Sequence, residues 1–328
     1  MSGTDSLVPQ IISLSSVFIN AYLLFLYFRC PLKRISSYKY FFPLAAIQDL
    51  IFSCSLVLAV PSPFANDYSF VLIATGPIHD KGAGTILLGF YVTAFVSSLL
   101  LIANSFFHRY LQVCRAQLLE QYQTKRNALL FVAANMVILS SWMGVVYVVF
   151  WPNAEFMESQ SDLVALSTGL NSSECAVLGF SLKHSVSALN LSLLLLLNVL
   201  MMVIGNVTFY TAKKINAFLR EGAISSNLRK MHRQMFTMLL IQTACPLLFL
   251  HMPNFATFAY VFAGWSTPFV VSCTLTILVS LFPLSNGAVI IGFLSEYRGY
   301  TLSLLKIRRT TLKDETVVMA DSKRMATV

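Results

Sequence analysis

The chain has 328 residues, 56% hydrophobic and only 11% charged, with a mean hydropathy of +0.70 and a formal net charge of +9. Soluble domains carry about 25% charged residues. A water-covered globule is therefore excluded and a membrane protein remains.

A helical span needs about 20 apolar residues. Seven stretches reach that length, at approximately 8–28, 40–60, 83–107, 128–150, 187–211, 234–254 and 268–293. The first follows MSGTDSL with no Lys or Arg before it. It is too long for a signal-peptide core and reads as a retained first span. The third carries Thr93, Ser97, Ser98, Asn104 and Ser105, as a span buried between other helices would.

Lys and Arg set the orientation, because cytoplasmic loops retain them. The segments after spans 1, 3 and 5, together with the tail, hold 21 of the 23. Only Lys81 and Lys183 fall on the alternate side. The positive charge is thus a topology signal and no nucleic-acid footprint. The expected organisation is an extracellular N-terminus (1–7), a seven-transmembrane domain (8–294) and a cytoplasmic tail (295–328) that begins with a short amphipathic helix. The fold class is an all-α membrane protein, a seven-helix bundle with its N-terminus outside.

The 152–186 outer loop carries a sequon at Asn171, open to glycosylation, whereas those at Asn190 and Asn206 lie within span 5 and should stay bare. Of the six Cys, only Cys175 lies on an outer loop. The expected state is free thiols packed as small hydrophobes, against a Cys175–Cys273 bridge.

Asp49 is the only carboxylate in any predicted span. A charge there costs about 2.5–3.5 kcal/mol on insertion scales. Two readings stay open: a polar hub with Asn20 and Asn286, or an interfacial Asp wetted by the inner headgroups. His108-Arg109-Tyr110 closes span 3 on the inner side, and is either an activation switch or a stop-transfer arginine. No nucleophile elbow, metal-spaced His pair or other catalytic constellation accompanies it. No Lys lies between Lys230 and Lys306, which excludes a retinal Schiff base in span 7. No catalytic residue, metal or cofactor is expected.

Pro246 removes a backbone bond inside span 6 and should kink it. The basic approach Met231-His232-Arg233-Gln234-Met235-Phe236 suits that helix to an outward swing of its inner end. Pro283-Leu284-Ser285-Asn286-Gly287 makes a second break in span 7. Beyond it, Tyr297-Arg298 opens a segment suited to the inner leaflet. The upper parts of spans 3, 5, 6 and 7 offer Tyr91, Phe95, His184, Ser187, Phe249, His251, Phe255 and Ser272 as a ligand pocket. No acid lies in the upper half of any span, so a small neutral ligand is expected.

These motifs together resemble nematode seven-transmembrane chemoreceptors of the Str superfamily. MHRQMFTMLLIQTACP is similar to the basic-Gln approach to span 6, and SYKYFFPLA to the inner entry to span 2. FFHRYLQV resembles the aromatic-Arg-Tyr ending of span 3, and FPLSNGAVIIGFLSEYRGY the last span. TGPIHDKG resembles the Srd branch. The resemblance implies a bundle of GPCR type, in the plasma membrane of sensory neurons, that detects an odorant-like small molecule and activates a heterotrimeric G protein. On that basis His108, Arg109, Tyr110, Arg233 and Arg298 are the switch and coupling residues, and Pro246 is the span 6 hinge. His108 departs from the Asp or Glu of rhodopsin-like receptors, so no intrahelical Arg–carboxylate lock is available. Ile78 replaces a frequent Cys. Asn286-Gly287 replaces a Ser/Asn-Pro pair, and Ile290 sits where that wider pattern has Tyr. The rival readings are a seven-span transporter or ligand-gated channel, although the chain lacks the repeats and embedded ion pairs of transporters. A second copy of the chain stays open as a partner.

Overall fold

The computed structural model describes residues 6–30, 38–122, 124–169, 171–183, 187–220 and 226–304. The helices are α1 (Leu7–Arg29), α2 (Phe41–Ala59, after a 3-10 turn Tyr38–Tyr40), α3 (Ala83–Cys114), α4 (Ala116–Tyr122), α5 (Lys125–Phe150), α6 (Ala154–Ser159), α7 (Ser161–Thr168), α8 (Ala188–Arg220), α9 (Ser226–Pro246), α10 (Met252–Ala263), α11 (Phe269–Phe293) and α12 (Ser295–Leu304). A π turn, Leu247–His251, joins α9 to α10. Seven helical segments are long and apolar enough to cross a membrane, with α9, the π turn and α10 counting as one. Three helices outrun the apolar stretches that announced them: α3 reaches Cys114, α8 reaches Arg220, and the sixth segment runs Arg229–Ala263. Hydropathy marks the bilayer, while backbone bonding continues the helix past it.

α3 packs against α2, α5, α8 and α9 at the centre of the bundle. Its polar side chains find partners there: Asn104 donates to Asn135 Oδ1 of α5 (2.7 Å). Gly287 lets α11 approach α1 closely, since a Cβ there would lie 2.8 Å from Asn20 Oδ1.

The fold is not all-α. A three-stranded antiparallel sheet, β1 (Pro61–Asn66), β2 (Ser69–Ala74) and β3 (Val177–Ser181), closes one end of the bundle in the order β1-β2-β3. Asp67 and Tyr68 both have positive φ (42° and 61°). They form the two-residue turn whose twist suits a hairpin. The apolar run Phe70-Val71-Leu72-Ile73 then pairs with β1 on one side and β3 on the other, with Val71 opposite both Phe64 and Gly179. β2 is buried on both faces, so its side chains sort by alternation. Val71 and Ile73 meet Phe64, Cys175 and Val177 beneath Phe156 of α6 and Val164 of α7. Phe70 and Leu72 point into the bundle with Phe180, and Phe70 stacks on Phe180 and Phe258 (6.0 and 5.5 Å). A Cβ at Gly179 would collide with the Phe70 carbonyl and lie 2.7 Å from the Phe156 ring. The start of α11 guards the β1 edge: Thr267 exchanges two bonds with Ala65, and Ser272 donates to the Pro63 carbonyl.

Candidate functional site

The opposite end, where most Lys and Arg gather, sets buried polar groups among apolar clusters around Phe42 and Phe106. Arg109 sits on the inward face of α3 and is only 2% exposed. Its Nη1 donates to Gln112 Oε1 (2.7 Å), and its Nη2 lies 3.0 Å from Nδ1 of His232 on α9. The guanidinium also sits 5.6 Å over the Tyr38 ring. Nε has no partner. The one ion pair among the described residues, Lys183 with Asp67, is at the sheet end. Arg109 is therefore a buried cation held by neutral groups, a costly arrangement that tolerates little further loss of partners. His108 turns its ring against Phe41 and Tyr38 (5.4 and 6.3 Å), and its Nδ1 is unpartnered.

The other three coupling candidates stand apart from Arg109. Tyr110 binds Arg115 through its hydroxyl, a bond that holds the Arg115 guanidinium above its ordinary pKa. Arg233 is exposed on α9. Arg298 is exposed and donates to the Gly292 carbonyl (3.1 Å).

One network joins Asn20, Asp49 and Asn286. Asn286 donates to Asp49 Oδ2 (2.6 Å) and accepts from Gln242 of α9 (3.2 Å), while Asn20 donates to the Pro283 carbonyl (3.0 Å). Asp49 is fully enclosed. Asp49 Oδ1 and Asn20 Oδ1 lack partners. A small cavity beside this network mixes polar residues, among them Tyr38, Ser105, Gln242 and Asn286, with apolar ones such as Phe42 and Leu239. Tyr38 and Asn286 both line it, which brings the surroundings of Arg109 close to the Asp49 network.

Pro246 ends α9, and a π turn follows, with Met252 N–H bonded to the Leu247 carbonyl. Pro253 stands just beyond, so two residues without an N–H bracket the turn. Here a single helix relaxes from one register to another.

The proposed ligand residues divide. Tyr91 is buried and stacks on Phe52 (5.1 Å). Phe95 of α3 meets His251 of the π turn edge-on (5.6 Å), and Phe249 packs on the same core. Ser272 is buried with its hydroxyl committed to Pro63, and Ser187 is exposed where α8 begins. Phe255 does not line the bundle. The inward stripe runs Leu250, Pro253, Thr257, Val261, and Phe255 lies off it, 63% exposed. His184 lies outside the described residues. Asn171 is exposed at the sheet end. None of the six cysteines forms a disulfide; Cys175 is buried beside Thr168 and unbridged to Cys273. Among the described residues no His, Cys, Asp or Glu cluster could hold a metal.

Sequence reasoning missed His232, Tyr38, Gln112 and Gln242. A usable signal existed for two of them: His232, Met235, Leu239 and Gln242 recur at helical spacing, an inward stripe in which the polar members imply polar partners.

The family model described as serpentine type 7TM GPCR chemoreceptor Str matches residues 5–302. G-protein coupled receptor str-33 of Caenorhabditis elegans is 24% identical over 314 residues, 89% of this chain and 88% of that relative. Serpentine receptor class r-10 of the same nematode is 22% identical over 288 residues, 81% of this chain and 80% of that one. A match over nearly the whole chain, on a bundle of seven crossing helices, assigns it to a family: it belongs to the Str family of serpentine seven-transmembrane GPCR chemoreceptors.

Proposed function

We propose that the chain binds a small neutral ligand in the half of the bundle beneath the sheet and activates a heterotrimeric G protein at its basic end. The Lys and Arg distribution supports placing the sheet, the N-terminus and a glycosylated Asn171 outside the cell, with the basic end and tail in the cytosol. Tyr91, Phe95, Phe249 and His251 are the ligand contacts, apolar or neutral and without an acid for a cationic amine. The family supports a sensory neuron as the site of action, and TGPIHDKG supports an Srd-like placement within the superfamily.

The observation that carries this reading is Arg109. It is a cation sealed in neutral surroundings where α3 meets α9, with a polar contact to His232 across the two helices. An outward swing of α9 about Pro246 breaks that contact and leaves Arg109 free to meet a cytosolic partner. His108 and Tyr38 form the wall of its resting site, and the exposed Arg233 and Arg298 add surface charge for the same partner. Arg109→Ala is expected to abolish ligand-evoked G-protein activation while surface expression persists. Wild-type signalling in that variant defeats the reading.

A further inference from the structure

We propose that His232 positions Arg109 in the resting state as a neutral acceptor, and that a proton on His232 opens the basic end of the bundle. Cytosolic acid then promotes the active state from inside. The inference rests on the reading that Arg109 must be released for coupling.

A guanidinium donates hydrogen bonds and accepts none. With Arg109 Nη2 at 3.0 Å, His232 Nδ1 must present its lone pair. The ring is therefore neutral, its proton on Nε2. A second proton turns Nδ1 into a donor and sets two cations against each other in a place where both side chains are buried. Among the described residues no neighbouring acid relieves this. From α3 come Arg109 itself and His108; from the turn before α2 comes Tyr38. On α9, Arg229, Lys230 and Arg233 are all cationic. The stretch of α11 that faces α9 ends in Asn286, Ile290 and Leu294, none of them ionisable, and Lys213, Lys214 and Arg220 of α8 are again basic. Glu296, the acid that follows α11, bonds Ser295.

The proton and the closed contact are thus mutually exclusive, and each shifts the other's equilibrium. A histidine released to water titrates near 6.5. One such linked proton raises the open-to-closed ratio about tenfold between pH 7.5 and pH 5.5.

The test uses the full chain in lipid nanodiscs, with spin labels at A116C and K230C on a background lacking the other reactive cysteines. Both positions are exposed and outside the contact. The ratio of the long-distance to the short-distance population is expected to grow about tenfold from pH 7.5 to pH 5.5. His232→Gln keeps an accepting oxygen but cannot titrate, so its distance should be independent of pH. His232→Lys carries a fixed charge and should be open already at pH 7.5. A wild-type distance indifferent to pH, or a His232→Gln variant that still responds, overturns the proposal, and neither result needs the lysine variant to fold. Basal G-protein signalling in cells with clamped cytosolic pH gives the second arm. If the distance responds while signalling does not, the proton contact stands and the coupling role of Arg109 falls. If signalling needs Arg109 but the distance ignores pH, the coupling role stands and the proton contact falls.

Discussion

The two ends of the bundle are stabilised by different means. At the sheet end, apolar side chains fill both faces of β2, and aromatic rings lock the sheet to α5 and α10. The β1 edge is capped by Thr267 and Ser272. At the basic end, Asp49 Oδ1, Asn20 Oδ1, His108 Nδ1 and Arg109 Nε are buried without partners. Close-packed apolar contacts favour one arrangement and resist others. Under-satisfied polar groups leave several arrangements of similar energy, which a switch requires. One end is built to stay and the other to move.

Substitutions should separate the two. The largest effect is expected from Gly179→Val, whose side chain has no space between Phe70 and Phe156. It should abolish surface expression, and a normally expressed variant would show that the sheet is dispensable. Phe156→Ala, at a site 1% exposed, should cost about 3–5 kcal/mol and lower the melting temperature of purified receptor, while any receptor that folds keeps its ligand response. Asp49→Ala removes the acceptor of Asn286 and should cost about 1–3 kcal/mol. Its effect on signalling should exceed its effect on melting, the reverse of Phe156→Ala. Lys183→Ala breaks an ion pair whose side chains are half exposed. It should change stability by about 0–1 kcal/mol, a difference that salt erases.

The spans were legible because hydropathy records the bilayer directly. Asp49 stood out because a lone carboxylate in a span is costly, but the sequence left a polar hub and a wetted interfacial site both open. Asn286 bonds it, whereas Asn20 bonds Ser16 and Pro283. The sheet was not legible, since β1 and β2 follow span 2 as a further apolar run and β3 lies within a long loop. The Asp67-Tyr68 turn, preceded by Asn66, was the available hint. Phe255 was assigned to the wrong face, since helical spacing from Leu239 and Gln242 carries the inward stripe to Leu250, Pro253, Thr257 and Val261 and leaves Phe255 off it. The Arg109–His232 contact joins distant helices without opposite charges, so no charge pattern announces it.

β2 also fixes an order of assembly. Its hairpin with β1 is complete once span 2 has been made, but its second edge pairs with Val177–Ser181, which emerges only after α3 and α5. Until then one edge of an apolar strand is unpaired, the kind of edge that recruits other strands. A chaperone that shields Ser69–Ala74 at that stage of synthesis is therefore expected to raise the yield of this receptor.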